Sequence, residues 1–85
     1  MKHARGPALD RLEPLLAKLR RIEGLKEKSR GVFYFKSRAA LHFHEDPAGL
    51  FADFRRTGDW RRFSVNTKSE REAFLQAVSA FVRPH

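Results

Sequence analysis

The run HFHED, His42 to Asp46, is the densest group of metal-competent side chains in this 85-residue sequence. Histidines two apart on a strand share a face, so His42 and His44 can offer two imidazoles to one metal ion, with Glu45 or Asp46 following as a carboxylate. Spacing alone fixes no third ligand. There is no cysteine, which excludes disulfides and thiolate metal centres. Neighbouring histidines are also ordinary surface residues, and His42 opposite Asp53 would make a pH-sensitive contact or a simple ion pair.

A second group is RRTGDWRR, which gathers Arg55, Arg56, Arg61, Arg62 and Trp60 around a turn. Arginine forks onto phosphate oxygens, and a projecting two-stranded ribbon can reach a nucleic-acid groove. Charge on an exposed strand also protects it from edge-to-edge aggregation. Lys18, Arg20, Arg21, Lys26, Lys28 and Arg30 form another basic cluster, of the kind that helix surfaces ordinarily carry. No serine elbow, glycine-rich phosphate loop or spaced carboxylate pair is present, so the reading is non-enzymatic and implies no cofactor or small-molecule substrate.

The formal net charge of +8 and a pI near 10.9 favour anionic partners. Residues 1–30 hold nine Lys and Arg against four Asp and Glu, so the first third carries most of the excess. Known nucleic-acid signatures are missing. The last helix opens TKSERE rather than with the lysine-rich stretch of double-stranded RNA-binding domains, and neither the aromatic pair of RNA-recognition motifs nor the GXXG loop of KH domains occurs.

These groups need elements to hold them. Leu9, Leu12, Leu16, Leu19 and Ile22 mark one face of a helix over about 9–23, with Asp10 as N-cap, Glu13 answering it and Pro14 in the first turn. The alternative is a start near Ala8 with a distortion at Pro14. Residues 25–30 read as a connector or a short irregular strand. Strands follow at 31–36, 39–45, 49–56 and 60–65, separated by turn-forming residues. A second helix starts at Thr67 with Glu70, or at Ser69 with Glu72, and stops at Arg83-Pro84. The expected fold is a single α+β domain over 1–85, ordered over about 9–82. It is a two-layer sandwich in the order α-β-β-β-β-α, its antiparallel four-stranded meander covered by both helices on one face.

The register can be checked against itself. Turns at Gly58-Asp59, at Asp46 to Gly49 and at Ser37-Arg38 align two inner rows: Val32, Phe43, Ala52, Val65 and Tyr34, Leu41, Phe54, Phe63. The outer face would then carry Phe33, His42, Asp53, Ser64 and Phe35, Ala40, Arg55, Arg62. Phenylalanines beside arginines suit base stacking with phosphate neutralisation, which makes Phe33, Phe35, Arg55, Arg56, Trp60, Arg61 and Arg62 the candidate nucleic-acid-binding residues. The same face could bind a protein or a second copy as a homodimer. A three-residue turn near Ser37 would instead point Phe33 and Phe35 inward.

The run GVFYFKSRAALHFHEDPAGLFADFR, with RRFSVNT after it, resembles a family of short bacterial proteins with no assigned activity. The likeness covers most of residues 9–82. It implies a free-standing cytoplasmic protein and transfers no site residues. The N-terminal MKHARGPALDRLE has no apolar core of a signal peptide, and no apolar run is long enough for a bilayer, which gives the same expectation of a cytoplasmic protein.

Overall fold

The computed structural model describes residues 1–83. Along the chain run β1 (Lys2–His3), α1 (Gly6–Arg20), β2 (Leu25–Ser29), β3 (Val32–Phe35), β4 (Arg38–Asp46), β5 (Gly49–Arg56), β6 (Asp59–Ser64) and α2 (Lys68–Val82). Strands β2 to β6 form an antiparallel meander in that spatial order, and both helices bury their apolar faces on one side of it. The expected α+β sandwich is there, with two strands beyond the expected four. The basic segment after α1 supplies β2, and β1 pairs beside the C-terminal half of β4.

Helix α1 begins before Asp10, at Gly6, with Arg5 at the N-cap. Pro7 takes the first turn, where a missing N–H breaks no helical bond, and Pro14 lies inside the helix. Asp10 and Glu13 do not cap it. Arg30 donates to Asp10 Oδ1 and Glu13 Oε1, each at 2.8 Å, and Arg20 joins Glu13 to Glu27 on β2. Arg20 and then Arg30 hold the Glu13 carboxyl down to about 2. Two cations of the N-terminal basic cluster are thus tied up in fastening α1 to the β2–β3 edge.

Helix α2 has the expected capping box. Glu70 N–H donates to Thr67 Oγ1 at 3.1 Å, while Glu70 Oε1 accepts from the N–H groups of Thr67 and Asn66 at 3.1 and 2.8 Å. Its stripe of Phe74, Val78 and Val82 is buried, and Phe74 meets Phe43 and Phe54 edge-on. Pro84, expected to help stop this helix, lies outside the described residues. Against the other side of the core, Gly31 has φ +81, and a Cβ there would stand 2.7 Å from Leu9 Cδ2. Glycine is what lets α1 approach the β2–β3 turn so closely.

Registers decide which side chains face out. Between β4 and β5 the pairs Leu41–Phe54, His42–Asp53 and Phe43–Ala52 are those expected. Between β5 and β6 the turn is Thr57-Gly58, and Ala52 faces Phe63 rather than Val65. That slip is even, so every face is kept.

Strand β3 differs in kind. Its turn is Lys36-Ser37, both residues at positive φ, and Tyr34 pairs with Ala39 while Phe33 pairs with Leu41. Ala40 is therefore an extra residue on β4, a bulge, and one extra residue reverses the faces of everything beyond it. Phe33 is fully buried beneath the helices, and Phe35 turns toward Phe81 of α2, 5.8 Å between ring centroids. The expected outer-face positions of Phe33 and Phe35 are corrected accordingly.

Candidate functional site

The outer face of β4 presents His42 and His44, and β1 brings His3 to lie opposite His44. The three rings lie within 4.9 to 5.6 Å of one another, centroid to centroid, and each offers a ligand nitrogen within 4.8 Å of the others. Nδ1 of His42 is 3.0 Å from Nε2 of His44, and that same Nε2 is 3.0 Å from Asp53 Oδ2. Nδ1 of His44 is buried with no hydrogen-bond partner among the described residues. Burial, reinforced by the neighbouring His44, pushes His42 below the ordinary imidazole range. The cluster can hold a metal ion through three imidazoles.

Asp53 is gripped from the next strand. Arg62 donates from Nε to Oδ1 at 2.8 Å and from Nη2 to Oδ2 at 2.9 Å, a fork that holds the carboxyl below its usual range. The Trp60 ring leans on His42 at 4.7 Å, and the Arg55 guanidinium lies over Trp60 at 5.0 Å. Arg55 also donates to the Ala39 carbonyl beside the bulge. The ladder is interrupted there, and the guanidinium supplies the donor.

The arginine hairpin thus divides into two sets. Arg55 and Arg62 work within the fold, while Arg56 and Arg61 project into solvent and make no ion pair among the described residues. Trp60 stays 42% exposed, the only exposed Phe, Tyr or Trp among the described residues. Phe33 is removed from the surface, so an aromatic platform or a dimer patch built on Phe33 and Phe35 does not exist on the outer face.

Cations gather instead at one end of the sandwich. Three adjoining hollows there share Phe81, and two of them share Phe35 and Lys36. Their rims carry Lys36, Arg38, Arg55, Arg56, Arg61 and Arg83, against the single acid Asp59. Sequence reasoning missed this grouping because its members come from the β3–β4 turn, the β5–β6 hairpin and the end of α2. It also missed His3, which becomes a neighbour of His44 only through the pairing of β1. The two-residue alternation of His42 and His44 and the pairing of His42 with Asp53 were the signals legible in advance.

No family model, curated protein or solved structure matches this chain. Among the described residues no helix is long and apolar enough to cross a membrane.

Proposed function

We propose that this is a non-enzymatic cytoplasmic binding domain for polyanions, single-stranded nucleic acid foremost, acting through the basic end of the sandwich. The observation that carries the reading is the convergence of six cations and one acid around the partly buried rings of Phe35 and Phe81. Arg56, Arg61, Lys36 and Arg38 would neutralise phosphates, and the apolar floor of Phe35 and Phe81 would take the faces of unstacked bases. The net charge of +8 would draw such a ligand in before contact.

The test is fluorescence anisotropy of a labelled mixed-sequence DNA or RNA 20-mer across a salt series. Binding at low salt that weakens steeply as salt rises, and that is lost in Arg56→Glu/Arg61→Glu with the fold intact, is the expected outcome. Absence of binding at low ionic strength would sink the reading. Binding to an acidic peptide but to neither nucleic acid would replace it with a protein-interaction role for the same end.

A further inference from the structure

The histidine cluster lies on the sheet face and has no part in the polyanion reading. As free side chains the set leaves His44 Nδ1 without a partner among the described residues in either neutral tautomer. A neutral imidazole carries one N–H, and Nε2 of His44 faces both Nδ1 of His42 and Oδ2 of Asp53 at 3.0 Å. If the His44 proton sits on Nε2, its buried Nδ1 is an acceptor with no donor. If the proton sits on Nδ1, that N–H is unpaired and Nε2 turns a lone pair toward a carboxylate.

We infer that His3, His42 and His44 form a site for a late first-row divalent transition metal such as zinc, with Asp53 Oδ2 beside them as an oxygen donor. A cation at the shared point satisfies the lone pairs of His42 Nδ1, His44 Nε2 and the carboxylate together, with the His44 proton on Nδ1, so what it relieves is the crowding of lone pairs around Nε2. Two donors on a tetrahedral zinc stand about 3.3 Å apart at ordinary Zn–N lengths, so the 3.0 Å contacts need to open only by a few tenths of an ångström. His3 closes the set from an exposed two-residue strand that can adjust.

Donor chemistry selects the class of ion. Imidazoles suit zinc, nickel and copper, whereas magnesium and calcium call for oxygen cages. Arg62 supplies the outer support, since its fork fixes the orientation of Asp53 as ligand-bound carboxylates are usually fixed. The elements are arranged to the same end. Three separate strands deliver the four donors, and the β4–β5 pairing of His42 with Asp53 sets their register independently of the metal.

The experiment uses the 85-residue chain without an affinity tag, stripped with chelator and then titrated with zinc by calorimetry and with cobalt by visible absorption. One ion per chain is expected, with the intense ligand-field bands of a tetrahedral cobalt site. His42→Ala and His44→Ala should abolish both signals, and Asp53→Asn should weaken zinc by about 10- to 100-fold. His44 is mostly buried, so the deciding variant is His3→Ala on the exposed strand, expected to keep the melting temperature of the metal-free protein and to weaken zinc. An unchanged affinity in His3→Ala, or no zinc heat and no cobalt bands in the parent chain, would overturn the site. Oligonucleotide binding is scored separately and bears on neither result.

Discussion

Arg55 and Arg56 are adjacent in sequence, yet one caps a carbonyl beside a bulge and the other points into water. Removing the first should cost stability. Arg55→Ala is expected to lower unfolding free energy by about 1.5–3 kcal/mol, the range for hydrogen bonds to a charged group, while Arg56→Ala stays within about 0.5 kcal/mol. Urea denaturation of the two variants checks this. Phe33 gives a harsher contrast. Phe33→Ala should cost about 3–5 kcal/mol because it empties a fully buried site, whatever the oligomeric state.

Acid should report on Asp53. Its folded-state pKa is depressed by Arg62, so the stabilisation is complete above the unfolded value of about 3.9 and is lost as pH falls through the folded value. Asp53→Asn should therefore flatten the acid side of the stability curve, measured as urea midpoints from near neutrality down to about pH 2. The pairing of Asp53 with His42 was legible in the sequence, because the turn after Asp46 dictates it. The fork from Arg62 was not, because it depends on the two-residue slip of β6.

Among the elements, the turns and the bulge set the limits of what sequence reveals. Capping of α2 by Thr67 and Glu70 follows from local chemistry, and so does the β4–β5 hairpin. The bulge at Ala40 leaves no trace, since Ala39-Ala40 reads as plain strand. The turn at Lys36-Ser37 is equally hidden, for it holds two ordinary residues at φ 52 and 67, where Asn-Gly is favoured. Replacing the pair by Asn-Gly should relieve that conformation and stabilise the protein by about 1 kcal/mol, read as a raised thermal midpoint.

The same reasoning explains the start of α1. Its apolar spacing located the helix, but the first turn at Gly6 and Pro7 has no apolar periodicity, and Arg5 makes no side-chain cap. The backbone N–H of Arg5 finds its acceptor far along the chain instead, at Glu45 Oε2, 2.8 Å away. Local rules see Asp10 and Glu13 as a capping pair, whereas long-range ion pairing claims both for Arg30.

Over the whole molecule, charge is spread unevenly in use as well as in number. The first thirty residues hold most of the excess, yet Arg20 and Arg30 spend theirs on Asp10, Glu13 and Glu27. Of the six rim cations, Arg55 is engaged by the Ala39 carbonyl, while Lys36, Arg38, Arg56, Arg61 and Arg83 make no ion pair among the described residues and are free to displace counterions from a nucleic acid. The logarithmic salt slope of binding to a single strand should be about −3 to −4, and Arg56→Ala/Arg61→Ala should make it shallower by about 1.5. Anisotropy titrations at several salt concentrations give both values.

The short strand β1 has a further consequence, for the timing of assembly. Each meander hairpin closes between near neighbours, whereas Arg5 and Glu45 meet across 40 residues. Loop closure of that span belongs late in folding, after the helices and hairpins have condensed. The sheet and its His42–His44–Asp53 trio would then exist first as an open half-site, with His3 arriving as the last piece. A slow, separable phase in stopped-flow refolding, seen by a probe at the N-terminus and missing from Trp60 fluorescence, is the kinetic signature this order requires.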